Sequence, residues 1–207
     1  ANSIIISTGA SAKWLGLESE KRLTNKGVSA CAVCDGFFFR GMETAIVGGG
    51  DTAAEEALYL SKLSPKVHML VRRDELRASK IMQERVMNTE NIEIHWNTET
   101  EEILGEEEVE GVRVINNQTK ETSVIPIKGF FVAIGHKPNT DIFKDWLDMD
   151  DTGYIVTKGK TTKTNIKGVF ASGDAQDNVY RQAVTAAGTG CMAALDAERY
   201  LTEEGVI

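Results

Sequence analysis

The run "TAIVGGG" (residues 44–50), followed at once by "DTAAEEALYLSKL" (51–63), decides how the rest of the chain is read. A short apolar run ending in glycines predicts a buried strand and a tight turn. Ala54, Ala57, Leu58 and Leu60 then fall on one face at helical spacing. "KVHMLVRR" (66–73) reads as a second buried strand. Strand, glycine turn, helix and strand within about 30 residues make a βαβ unit, which implies parallel strands and a right-handed crossover. A helix over roughly 78–89 and a strand near 92–97 continue the alternation, so the predicted class is α/β with a parallel sheet.

From about residue 100 to 134 the pattern changes to short β runs, including "VEGVRVINN" and "ETSVIPIKGFFVAIG", read as a meander or hairpin laid against the parallel sheet. Beyond "GHKPNTDIF" lies a different region, with a strand at "GVFASGD" and a final helix over about 181–201. "IIISTGA" (4–10) near the start reads as another buried strand. Crossings near residues 11–14 and 137–141 would make the middle of the chain an insertion into a domain supplied by both ends.

With 42% apolar and 26% charged residues, the 207-residue chain has the composition of an ordinary globular protein. A net charge of −8 argues against nucleic acid, whose phosphates call for a basic face. No apolar run approaches the roughly 20 residues of a membrane helix, so no membrane partner is expected. Three cysteines are an odd count and too few for a secreted disulfide framework, which points to the cytoplasm.

Four patterns carry chemistry, three of them suited to nucleotides. Gly48-Gly-Gly50-Asp51-Thr52-Ala53 fits G-x-G-x-x-A between strand and helix. The first glycine allows the tight turn, the second lets backbone approach a pyrophosphate, and the small third residue lets helix and strand pack closely. At the end of the next strand an NAD site carries a carboxylate for the ribose 2′-hydroxyl; here stand Arg72, Arg73 and, further on, Arg77. Guanidinium groups pair bidentately with a 2′-phosphate, which favours NADPH. Finally, "GVFASGDAQDNVYRQAVTAAGTG" delivers Gly173 and Asp174 to a turn before a small-residue helix, where a carboxylate accepts from a hydroxyl and helix amides approach a phosphate or flavin. An ordinary strand–helix corner explains that segment equally well.

"SACAVCDGFFFR" (29–40) holds Cys31-x-x-Cys34-Asp35, which by itself reads as a redox disulfide, half a metal site or a chance spacing. Taken in order, CxxC-D-G, G-x-G-x-x-A, R-R-x-x-x-R and G-D with R-Q-A resemble the low-molecular-weight NADPH-dependent thioredoxin reductases over essentially the whole chain. The resemblance implies a Rossmann-like NADPH-binding domain, parallel sheet plus β-meander, inserted into a partial FAD-binding domain of the same type. The expected division is 1–12 and 139–207 for FAD and 13–138 for NADPH and the CxxC. It implies that Cys31 and Cys34 are the redox pair with Asp35 as acid–base residue, Cys34 facing the flavin and Cys31 attacking the partner. Gly48, Gly50, Asp51, Thr52 and Ala53 would take the NADPH pyrophosphate, and Arg72, Arg73 and Arg77 its 2′-phosphate. Gly173, Asp174, Arg181, Gln182 and Ala183 would contact FAD.

The implied reaction is thioredoxin-disulfide reduction: NADPH reduces FAD, FAD reduces the Cys31–Cys34 disulfide, and the dithiol reduces thioredoxin. A homodimer is implied for the full-length enzyme. The alternatives are a flavoprotein reductase of a peroxidase partner and a non-catalytic NADPH-binding module. Two departures stand out: Val71 replaces the histidine usual before the paired arginines, and the N-terminal part of the FAD domain is absent. The chain is therefore expected to be a C-terminal fragment that holds NADPH but binds FAD poorly. No metal is expected, because His68, His95 and His136 show no paired spacing and Cys191 is the only further cysteine. Cys191 is expected to be a small buried residue and His136 structural or a weak cofactor contact.

Overall fold

In the computed structural model, which describes residues 1–207, the chain forms twelve strands and five helices. The strands begin with β1 (Ile4–Ile6), β2 (Ala10–Ala12), β3 (Val28–Ser29), β4 (Thr44–Val47), β5 (Val67–Val71) and β6 (Ile92–Trp96). They continue with β7 (Thr98–Leu104), β8 (Gly111–Asn116), β9 (Thr122–Pro126), β10 (Gly129–Val132), β11 (His136–Pro138) and β12 (Val169–Ala171). The helices are α1 (Glu18–Arg22), α2 (Ala32–Asp35), α3 (Asp51–Leu60), α4 (Lys80–Met87) and α5 (Ala183–Glu203). They form two units, residues 12–135 and residues 1–11 with 136–207.

The middle unit is built on a parallel sheet of order β3-β10-β4-β5-β6, with Thr44 opposite Val67 and Val67 opposite Ile92. Alternate residues of each strand serve different cores. Ile46, Met69 and Phe131 pack under Ala53, Ala54, Ala57 and Leu60 of α3 and Met82 and Val86 of α4. Ala45, Leu70 and Phe130 face the other way, onto Ile103, Val112, Val114 and Ile125 of the antiparallel sheet β7-β8-β9. Each fully buried large side chain contributes about 1.5–3 kcal/mol. An exposed ion pair such as Lys21–Glu18 contributes at most about 1 kcal/mol, so these two cores hold the unit together.

One expectation needs correction. The β runs over 100–134 are not all meander: β7, β8 and β9 are, but β10 enters the parallel sheet between β3 and β4. The reason lies in its side chains. Gly129, Phe130, Phe131 and Val132 are all buried, as a strand covered on both faces requires, whereas β9 buries only Ile125.

In the other unit β1 pairs in parallel with β12, Ile4 opposite Val169 and Ile6 opposite Ala171. β2 pairs with β11. The 21-residue α5 docks on β12 through Ala193, Ala197 and Tyr200 around Phe170. Asp196 of the same helix turns inward and accepts hydrogen bonds from Thr162 N–H (3.0 Å) and its hydroxyl (2.8 Å). Burial pushes the Asp196 carboxyl up, but the Thr162 bonds, with Lys163 and Arg199, outweigh it and hold the pKa below the ordinary value. No helix is long and apolar enough to cross a membrane.

Candidate active site and nucleotide-binding cradles

Cys31 and Cys34 form a disulfide with an S–S distance of 2.05 Å and a Cα–Cα separation of 5.3 Å. Cys31 is the N-cap of α2, and its Sγ accepts from the Cys34 N–H at 3.2 Å. The short helix therefore sets the two sulfurs on one turn and leaves Cys34 exposed. Asp35, the last residue of α2, accepts a 2.6 Å hydrogen bond at Oδ2 from the Ser29 hydroxyl. Ser29 Oγ in turn accepts from the Cys31 N–H at 3.0 Å. One hydroxyl at the end of β3 thus fixes the carboxylate relative to the disulfide. Ser29 escaped the sequence reading, because nothing local says that α2 folds its last residue back over β3. Val33, Phe37 and Phe38 are exposed around the disulfide, an apolar rim beside a reactive bond.

The glycine turn lies in the same unit. Gly48 has φ 147°, and a Cβ there would stand 2.4 Å from the Ala133 carbonyl and 2.8 Å from the Ala53 methyl. Only glycine fits, and Ala53 is small because it packs under it. A Cβ on Gly50, the N-cap of α3, would meet nothing within 4 Å, so the backbone is open there to an approaching group. Asp51 is otherwise engaged: its Oδ1 accepts from the Ser79 N–H at 2.8 Å, and that bond holds its carboxyl below the ordinary value. Gly49 O accepts from the Arg77 N–H (2.7 Å) and the Ala78 N–H (3.1 Å), which ties the loop after β5 to the glycine turn. Thr52 follows in the first turn of α3.

These ties bring Arg72, Arg73 and Arg77 to the rim of a cleft of about 550 Å³ that also includes Gly48 and Gly49. All three arginines are exposed, and none takes part in an ion pair. Lys13 and Thr98–Thr100 line the cleft too, contributions invisible in sequence because they come from chain distant from the motif.

In the other unit Gly173 (φ 64°) opens a one-turn 3-10 helix after β12, and its N–H donates to Thr189 Oγ1 at 2.9 Å. Asp174 follows, with a buried Oδ1 that has no hydrogen-bond partner. Burial first, then repulsion from Asp177, pushes its carboxyl above the ordinary value, against the pull of Arg181 and His136. Arg181 adopts φ 49° and donates to the Asn178 carbonyl. Gln182 caps α5, pairing with Thr185, and Ala183 is the first helical residue. Cys191 is exposed, not buried as expected, because the first half of α5 faces away from β12.

The chain belongs to the pyridine nucleotide-disulphide oxidoreductase family, whose pattern matches residues 1–190. Within that class it is similar to named thioredoxin reductases. The one from Rickettsia conorii is 53% identical over 206 residues, covering 98% of this chain and 66% of its own length. The one from Debaryomyces hansenii is 54% identical, covering 98% and 64%. The solved thioredoxin reductase from Giardia duodenalis superposes with a TM-score of 0.92 at 46% identity, covering 97% of this chain and 66% of that one. The chain thus spans about two thirds of the length of these relatives. The fold class and the family resemblance read from the four motifs agree with these likenesses.

Proposed function

We propose that the chain carries the NADPH-binding and disulfide-exchanging part of a thioredoxin reductase, acting in the cytoplasm on a small disulfide protein and working as a homodimer in complete form. One observation carries this reading. A Cys31–Cys34 disulfide, with a carboxylate positioned by Ser29, shares one folded unit with a glycine turn and three uncommitted arginines. The exposed Val33, Phe37 and Phe38 support a protein substrate, since an apolar rim offers area to a docking surface.

The residues present fit both organic cofactors. Gly48, Gly50, Thr52 and Ala53 shape the pyrophosphate cradle, with Asp51 bracing it through Ser79, and Arg72, Arg73 and Arg77 offer charge to a 2′-phosphate. The partnerless Asp174 Oδ1 suits a hydroxyl donor such as a flavin ribityl chain presents, beside Gly173, Arg181, Gln182 and Ala183. NADPH supplies the hydride and FAD relays the electron pair to the disulfide when both are bound.

The protein's own steps are thiol chemistry. Reduction breaks the Cys31–Cys34 bond with uptake of two electrons and two protons, and Asp35, next in sequence to Cys34, would move a proton there. The Cys31 thiolate attacks the partner's disulfide and expels one partner thiolate, giving a mixed disulfide. Cys34 then attacks Cys31, which re-forms the internal disulfide and releases the partner as a dithiol.

Trapping tests this order. In a Cys191→Ser background, which removes the other exposed thiol, Cys34→Ser should capture a thioredoxin whose single active-site cysteine is activated as an aromatic disulfide. The adduct should persist on a non-reducing gel, whereas Cys31→Ser should capture little. Adducts formed mainly by Cys31→Ser would reverse the two roles, and adducts from neither variant would overturn the reading.

A further inference from the structure

His68, on β5, sits in the register directly opposite Glu93 of β6, and His95 lies two residues further along β6 on the same face. His68 is buried, its side chain 6% exposed. Its Nδ1 lies 3.0 Å from His95 Nε2, and its Nε2 lies 3.0 Å from Glu43 Oε2. Glu93 Oε1 is 3.7 Å from His95 Nε2, while Lys66 pairs with the other oxygen, Oε2. None of these groups belongs to the disulfide or to either cradle.

We propose that His68 Nδ1, His95 Nε2 and Glu93 Oε1 form a zinc-binding site on this sheet face. The three ligand atoms lie within 4.8 Å of one another. With metal–ligand bonds of about 2.0–2.1 Å, tetrahedral zinc needs ligand atoms roughly 3.3 Å apart. The separations of 3.0 and 3.7 Å bracket that spacing. His95 is 22% exposed, which leaves its ring room to turn toward a point shared with His68. The mix of two imidazoles and one carboxylate suits zinc, and solvent supplies the fourth ligand.

The surrounding groups prepare the ligands. A carboxylate only accepts, so Glu43 fixes the His68 proton on Nε2 and leaves Nδ1 bare for the metal. This is the outer carboxylate that metal-bound histidines recurrently have. Lys66 occupies Glu93 Oε2 and so leaves Oε1 as a single donor. The metal replaces the hydrogen bond between the two rings once the His95 proton moves to its Nδ1, with no net loss of a proton. This cluster has no local sequence signature, because His68 and His95 stand 27 residues apart and meet only through strand pairing.

The test uses the tag-free 207-residue chain, disulfide intact and Cys191→Ser, titrated with zinc against a chromophoric chelator. One zinc per chain is expected, with a rise in melting temperature in the presence of the metal. His95→Ala, at a partly exposed ligand, should abolish both effects. Glu43→Gln should keep the stoichiometry but weaken affinity about 10–100-fold. Cobalt in place of zinc should give the intense visible bands of a tetrahedral site in the parent and not in His95→Ala. Absence of stoichiometric zinc in the parent, or equal zinc affinity in the parent and His95→Ala, would overturn the site.

Discussion

Within this chain the two units cover their parallel strands to different extents. In residues 12–135 the three central strands β10, β4 and β5 are covered on one face by α3 and α4 and on the other by the meander, so every residue of them is buried. In the other unit β1 and β12 form a two-stranded parallel pair in which Ile4 and Ile5 remain 49% and 42% exposed. Val184 near the start of α5 is 83% exposed. Parallel strands normally have both faces covered. The contrast teaches where stability and where binding capacity lie: the middle unit closes its own cores, and the outer unit leaves apolar surface and a partnerless carboxylate for other groups.

The sharpest way to break that contrast is to cut into each unit. Phe131→Ala, at a fully buried position touching Phe39 edge-on, should cost about 3–5 kcal/mol in denaturant unfolding. Val184→Ala should change stability by less than about 0.5 kcal/mol. Similar losses at both positions would show that the two units do not differ in this way.

A smaller effect is expected at the arginines. Arg72 is exposed and makes no ion pair, so Arg72→Ala should leave folding unchanged. A charge-assisted contact contributes about 1.5–3 kcal/mol, so NADPH affinity should fall roughly tenfold or more by calorimetry while NADH is nearly unaffected. Equal weakening of both nucleotides would refute a 2′-phosphate contact.

The smallest effect, and one of opposite sign, is expected at Asp174. Its folded-state pKa is raised above the 3.8 of a free carboxyl, so its contribution to stability is fully present below about that pH. The contribution is lost as pH rises through the raised value, above which the buried carboxylate is destabilising. Asp174→Asn should therefore stabilise the ligand-free chain by roughly 1 kcal/mol at neutral pH and flatten this part of the pH profile. Asp196, with its lowered pKa, works the other way: its contribution is present above the ordinary carboxyl value and is lost as acid protonates it. A ligand-free chain destabilised at pH 7 by Asp174→Asn would mean that Asp174 is already satisfied within the fold.

What could be read from sequence was local. The glycine turn, α3 and β5 follow from adjacent residues of strong pattern, and Cys31 and Cys34 bond across two intervening residues. What escaped was set by pairing at a distance. β10 looks like any short β run until both its faces are seen to be buried, and Ser29 matters only because α2 returns Asp35 to it. Cys191 departs from its expected burial because small neighbours suggest close packing, whereas its part of α5 is turned outward.

The bond between Lys13 N–H and Gly135 O, 2.9 Å long, joins the two ends of the middle unit. Its consequence appears during synthesis. Ser7 and Ser172 must meet across 165 residues, so β1 leaves the ribosome long before β12 exists to receive it. A middle unit that folds first brings its own ends together and shortens the disordered loop that β1 and β12 must close. Loop entropy grows with the logarithm of length, so this lowers the closing cost by roughly 1 kcal/mol. The early strand waits, with its isoleucines uncovered, for a segment made much later, and the inserted unit acts as the clasp that keeps the wait short.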